Sequence, residues 1–230
     1  MRYYNYLNER RVVVPSLKHF DPRTITRMER DEVYEWLSTS DIFKLYQKNT
    51  NNILYRGVKR DIYHYSIEKR RKDRKPKDMP SELHRWFDNE FQKQFGWKAR
   101  SEGVFVIANE RTAQGYGRPY IFIPKGKYRF LYSKEIKDLW AEATGDDNIY
   151  IDPVEVAVLN DDSDTLDMFI DEYGYGSPPS VHQVLDKIVN SYTNKNIQLG
   201  MEYKHEIMFD CDEYFLFEKS VFEQILKDFK

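Results

Sequence analysis

A single cysteine, Cys211, is all the thiol that this 230-residue chain carries. No internal disulfide can form, and a four-cysteine metal site is excluded. Long apolar runs are missing as well: no window approaches 18 consecutive apolar residues, so no spanning helix is expected. The start of the chain, from Met1 to Arg11, lacks the apolar stretch of a secretory signal. These lacks point to a reducing cytoplasm and no membrane association. Net charge is nearly absent, at −2, and neither a repeat nor a low-complexity tract occurs. Familiar catalytic signatures are missing too. There is no GxxxxGK[ST] loop, no GxGxxG after a strand, no HExxH and no GxSxG.

What is present is a soluble, globular composition, 40% hydrophobic and 32% charged, with a mean hydropathy of −0.77. Its core leans on rings: 18 Tyr, 14 Phe and 4 Trp. Charge is unevenly spread. Ten Lys/Arg lie between Arg56 and Lys77, whereas Ala141–Asn190 holds twelve Asp/Glu against one Lys. Such asymmetry suits a basic face that meets an acidic ligand. Lys69–Lys75 contains no apolar residue, so 66–80 is expected to form a mobile or weakly packed basic loop.

Periodicity predicts a helix over 31–48 with a restart at Ser40/Asp41, then a short strand at Ile53–Val58. Ser81 is a candidate N-cap for a helix bearing Leu83, Trp86, Phe87, Phe91 and Phe95. Strands are expected at Gly103–Ala108, Tyr120–Ile123, Tyr128–Tyr132 and Val154–Leu159, with a short helix at Thr112–Gly117. Ser133, Ser163 and Ser180 are candidate caps for three further helices. The tail predicts a hairpin, Glu206–Phe209 against Tyr214–Phe217 with Asp210–Glu213 as its turn, and a closing helix carrying Val221, Phe222, Ile225 and Leu226. Short strands that do not alternate with helices predict an α+β fold with a mixed or antiparallel sheet and helices at the N-terminus, middle and C-terminus. No linker divides the chain. Residues 1–50 are expected to pack as a helical segment on a domain spanning 51–230.

A metal site from His205, Asp210, Cys211 and Asp212 is disfavoured, because hairpin side chains alternate faces, and no metal is expected. Three other segments carry more. Leu54-Tyr55-Arg56-Gly57 ends a strand with an arginine and a glycine. Arg100-Ser101-Glu102-Gly103-Val104-Phe105 leads a serine into a buried strand, with Thr112–Gly117 close behind. Glu206-Ile207-Met208-Phe209 opens a strand with a carboxylate. In this order, over roughly residues 50 to 220, the chain resembles the Arg-Ser-Glu class of mono-ADP-ribosyltransferases, many of them toxins or phage-encoded modifiers.

The resemblance implies a split-sheet fold, NAD+ as substrate and a site built from Arg56, Ser101 and Glu206. Breaking the nicotinamide–ribose bond puts positive charge on the ribose, which a carboxylate, here Glu206, would stabilise. Arg56 would supply a planar cation for the dinucleotide, Gly57 would let the ligand approach the backbone, and Ser101 would orient the glutamate or ribose. Tyr116 or Tyr120 would stack on nicotinamide. All three site residues would then lie within roughly 10 Å of one another.

Two departures redirect the acceptor. Ser101 is followed by Glu102-Gly103 where a Ser-Thr-Ser strand is common, and Lys204 stands where arginine-modifying members carry a second glutamate. Lys204 with Arg70, Arg71 and Arg74 would suit an anionic macromolecule, such as a nucleic acid, better than protein arginine. Two rival readings remain. One is a non-enzymatic nucleic-acid-binding or phage–host interaction protein using Tyr63, His64 and Tyr65. The other is a metal-dependent nuclease built on Asp161-Asp162-Ser163-Asp164.

Overall fold

The computed structural model describes residues 27–139 and 181–229, except 73, 76–78 and 80. Helices α1 (Arg27–Thr39) and α2 (Asp41–Lys48) are separated at Ser40, as the restart predicts. Ser40 is extended, and its hydroxyl accepts the Phe43 N–H at 3.3 Å, which ends one helix and caps the next. Strands β1 (Tyr55–Val58) and β2 (Tyr65–Lys69) follow, then α3 (Ser81–Phe95) and α4 (Ala99–Glu102). Next come β3 (Val104–Ile107), α5 (Glu110–Gln114) and the long β4 (Arg118–Ser133). After Asn190 closes α6 (Val181–Asn190), the chain runs through β5 (Tyr192–Thr193), α7 (Ile197–Tyr203), β6 (Glu206–Phe217) and α8 (Lys219–Asp228).

All ladders among the described residues are antiparallel, in the order β2-β6-β3-β1-β4-β5, and β4 also pairs with β6. The path β6–β3–β1–β4 therefore returns to β6 and curls the sheet around a core. One edge of β6 is shared: β3 takes Glu206–Phe209 and β2 takes Glu213–Phe217. The fold is α+β.

Three expectations change here. The predicted tail hairpin is one continuous strand, β6. Its supposed turn is paired with β4, with Tyr128 opposite Cys211 and Arg129 opposite Asp210. Asp210 can sit there because Arg70 and Arg129 both engage its carboxylate, and Cys211 is buried. Similarly, the two strands expected between 120 and 132 are one, interrupted by an irregularity between Lys125 and Tyr128, where Gly126 adopts φ 78. The expected loop 66–80 begins instead as β2, and the Arg70 N–H continues its ladder by donating to the Asp212 carbonyl oxygen. The strand expected at Val154–Leu159 and the helix after Ser163 lie outside the described residues, as does Ser180. Ser133 accepts the Glu135 and Ile136 N–H groups, as a cap would.

Two apolar clusters lie on opposite faces of the sheet. Inside the curl, Phe122, Phe209, Phe217, Ile207 and Val106 meet α1, α2 and α8. Tyr46 joins the layers: its hydroxyl donates to the Phe122 carbonyl oxygen at 2.7 Å and accepts the Leu54 N–H. Tyr34 stacks on Phe229, so the first described helices pack against the last. On the other face, Leu83, Phe87 and Phe91 of α3 cover Met208 and Leu131 together with Leu185 and Ile188 of α6. The stripe read on α3 is thus its buried face. No helix among the described residues is long and apolar enough to cross a membrane.

Candidate active site

Register places the carboxylate. Ile107 pairs with Glu206 and Phe105 with Met208, and antiparallel partners share a face. Glu206 and Phe105 therefore stand on the same side of the β3–β6 ribbon, at its open end. Glu206 opens β6, its N–H bonded to the Lys137 carbonyl oxygen at 2.9 Å, and its side chain is 18% exposed. Burial pushes its pKa up to about 7. Arg100 and Arg74 oppose that shift and Asp138 adds to it.

The cation touching Glu206 is Arg100, whose Nη1 lies 3.4 Å from Oε1. The Arg100 guanidinium also lies 4.8 Å from the centroid of the Phe105 ring, and Arg74 lies over the same ring at 3.9 Å. Partial burial, then Arg100 and Arg56, pull the Arg74 pKa down to about 10, while Glu206 pulls it back. Tyr116 completes the rim. It is 56% exposed, and its hydroxyl donates to Asp138 at 2.7 Å. Its pKa is raised by burial, by that bond, and by the charges of Asp138 and Glu206.

Helix α4 holds Arg100 in place through a buried carboxylate of α3. Asp88 accepts the N–H groups of Arg100 (2.8 Å) and Ser101 (3.1 Å) and also the Ser101 hydroxyl. His84, one turn earlier on α3, places Nε2 3.0 Å from the same hydroxyl. Burial lowers the His84 pKa, Asp88 opposes that shift, and the charges of Arg100 and Arg74 add to it. After Glu102 the chain must turn at once into β3. Gly103 allows this, since any Cβ there would collide with the Ala99 carbonyl oxygen.

The three residues singled out in the sequence are thus carried by neighbouring elements but are not in mutual contact. Ser101 faces Asp88 and His84. Tyr55 pairs with Ile107 and so takes the Glu206 face, which turns Arg56 to the other face of β1. Beyond that pair β1 leaves β3, and the Arg56 Nη1 donates across the opening to the Phe105 carbonyl oxygen at 3.2 Å. Its guanidinium also lies 5.6 Å from the Tyr214 ring centroid. No hydrogen bond joins Arg56 to Glu206 or Ser101; the Arg56 and Glu206 charges are both felt at Arg74.

Other assignments are corrected. Tyr120 is buried and not a stacking platform: its hydroxyl accepts the Ile62 N–H and donates to the Arg60 carbonyl oxygen. Arg70 is not an acceptor-facing cation, because Asp210, Asp212 and Glu102 surround it. Arg74 is exposed and lies over the Phe105 ring beside Arg100. Arg71 is half-buried, and Lys204 is exposed in the left-handed region at the end of α7, two residues before Glu206. What approaches Gly57 is protein: a Cβ there would run into the Ala113 carbonyl oxygen and come within 2.8 Å of the Tyr116 Cβ. Gly57→Ala should cost about 1–3 kcal/mol by overpacking and displace Tyr116, measurable as a lower urea midpoint at unchanged slope.

Sequence reasoning missed Arg100, Phe105, Asp88 and His84. The polar i,i+4 pair His84/Asp88, lying one position beyond the apolar Leu83/Phe87/Phe91 stripe, was the available signal. Among the described residues no group of three His, Cys, Asp or Glu could hold a metal ion. Burial pushes the Cys211 thiol up to about 12, which leaves it unreactive. Comparison with protein-family models, with curated proteins and with solved structures found no match.

Proposed function

We propose that this chain is an NAD+-dependent mono-ADP-ribosyltransferase acting on a macromolecular acceptor, with nucleic acid favoured over protein arginine. One observation carries the reading. The strands that begin or end with the Arg, Ser and Glu motifs are consecutive neighbours, β1–β3–β6, and Glu206 stands at their open end beside a group of arginines.

In this reading the bond between nicotinamide nitrogen and ribose C1′ breaks, and its electron pair leaves with nicotinamide. Positive charge develops on the ribose, facing the Glu206 carboxylate. An acceptor oxygen or nitrogen then bonds to C1′ and releases its proton to Glu206 or water. Arg100 holds Glu206 in place and favours its ionised form, while Arg56 and Arg74 add positive charge for the dinucleotide's phosphates. Tyr116, exposed and tethered to Asp138, offers a ring at the mouth of the cleft.

The test is incubation of the purified chain with labelled NAD+ and, separately, single-stranded DNA, RNA and protein extract. Release of nicotinamide, with label appearing on nucleic acid, is expected. NAD+ should also raise the melting temperature by linkage. Absence of both nicotinamide release and stabilisation would leave the non-catalytic nucleic-acid-binding reading in its place.

A further inference from the structure

We infer that the recess between Trp36 and the irregular stretch of β4 is a second, non-catalytic seat for single-stranded nucleic acid, held by Lys69, Lys72, Lys125 and Lys127. The inference goes beyond the reading above: it concerns another face of the molecule and does not rest on NAD+ cleavage.

Register builds the recess. Glu213 of β6 pairs with Lys69 of β2 on one side and with Lys125 of β4 on the other, so the three side chains form one row across three strands. The next row on the same face is Ile67, Phe215 and Ile123, and the Trp36 ring of α1 lies against Phe215 at a centroid distance of 4.7 Å. Trp36 thus closes the core, and the charged row begins where it stops. Just beyond Lys125, β4 is irregular around Gly126, and Lys127 is exposed. The outcome is a depression of about 680 Å³ lined by Trp36, Lys69, Lys72, Lys125 and Glu213, among others. Lys127 borders an adjoining depression that shares Gly126. This is not the Glu206 cleft. Glu213 stands seven residues further along β6 and on its other face, about 23 Å away at roughly 3.3 Å per residue.

Charge fixes the sign of the ligand. One carboxylate serves two lysines: Glu213 lies 2.9 Å from the Lys125 Nζ and 3.9 Å from that of Lys69. Lys72 and Lys127 are exposed and form no ion pair among the described residues. Asp212, the other carboxylate of the recess, is met by Arg70. Four lysines against Glu213 leave an excess of about three positive charges, in a chain whose net charge is −2. The kind of cation narrows the class. Lysines on flexible stems are point charges, suited to successive backbone phosphates more than to one planar group. The indole beside them gives an unpaired base a ring to stack on, whereas duplex bases are already stacked on one another. An acidic peptide would satisfy the lysines and leave the indole unused. Lys72 lines this recess, and Arg74, two residues on, lies over the Phe105 ring, so a strand seated here would lead toward Glu206.

The experiment is fluorescence anisotropy of labelled oligothymidylate and oligouridylate of about 12 nucleotides, without NAD+ and at rising salt, on the full chain. It is repeated with a duplex of the same length and with the variants K72A/K127A, W36F and K134A/K195A. Lys134 and Lys195 are exposed and outside the recess, so that pair controls for the same loss of charge. The single strands should bind, and the duplex should bind at least about tenfold more weakly. K72A/K127A should lose about tenfold or more and flatten the log–log salt slope by about 1.4, whereas K134A/K195A should lose under about twofold. Single strands should also quench tryptophan emission, and W36F should lose most of that quench with about threefold in affinity. Circular dichroism of each variant excludes unfolding as the cause. Equal losses in the two double variants, equal affinity for the duplex, or undiminished quenching in W36F would overturn the inference. So would tighter binding of polyglutamate than of oligothymidylate. Oligonucleotide binding that depends on Lys72 and Lys127, with no NAD+ cleavage by the wild type, would remove the transferase reading and leave this inference standing. NAD+ cleavage with oligonucleotide affinity untouched by K72A/K127A would do the reverse.

Discussion

Glu206→Gln should cut NAD+ turnover about 10²–10³-fold while leaving NAD+ affinity nearly unchanged. The substitution keeps size and most hydrogen bonding but removes the negative charge, which matters most once the ribose becomes cationic. Arg56→Ala and Arg74→Ala should do the opposite, weakening affinity first. The pH dependence follows from the raised pKa. Turnover that needs the carboxylate should fall about tenfold per pH unit below about 7. Stability runs the other way. Between the ordinary value of 4.5 and about 7, the folded chain keeps a proton that the unfolded chain has released, so stability declines as pH rises through that window. Glu206→Gln removes the penalty and should raise the melting temperature at pH 8 but not at pH 4, by an amount corresponding to at most about 3 kcal/mol. A variant with wild-type turnover would end the assignment of Glu206.

Asp88→Ala should be the most damaging single change at the site, costing about 3–5 kcal/mol. One carboxylate, 4% exposed, accepts two backbone N–H groups and a hydroxyl, and lies 3.5 Å from His84. Its loss leaves all of them without that acceptor in a half-buried region. Asp88→Asn retains one acceptor oxygen and should lose less. Chemical denaturation measures both variants. The folded fraction of Asp88→Asn should also release nicotinamide more slowly than wild type, because α4 then no longer fixes Arg100 against Glu206. Unchanged stability in Asp88→Ala would mean that water already satisfies these groups.

Local signals reported themselves well in this sequence. Ser40 interrupts a helical stripe and caps the next, and a four-residue window suffices to see it. The α3 stripe and the order of the Arg, Ser and Glu motifs were equally readable. The misreadings share one cause. Asp210-Cys211-Asp212 has the composition of a turn, and only Arg70 and Arg129, remote in sequence, make it tolerable inside a sheet. Likewise nothing local distinguishes Arg70, which is neutralised by acids, from Arg74, which is not. Spacing also could not decide which of Arg100 and Ser101 meets Glu206, because α4 is a single turn whose orientation is set by Asp88 across the fold. Tyr120 was a reasonable stacking candidate by position, and its alternation into the curled sheet made it core.

The two walls of the cleft have different mechanical standing. β6 is hydrogen-bonded along both edges, to β4 on one side and to β3 and then β2 on the other, so the strand bearing Glu206 belongs to the last part of the fold to open. Arg74 itself is in neither helix nor strand; its N–H donates to the Ser101 carbonyl oxygen and its guanidinium lies over the Phe105 ring. Substitutions near Arg74 can therefore alter which anions are admitted without disturbing where the carboxylate stands. In the proposed reading, ligand choice and chemistry would then rest on separate stretches of chain.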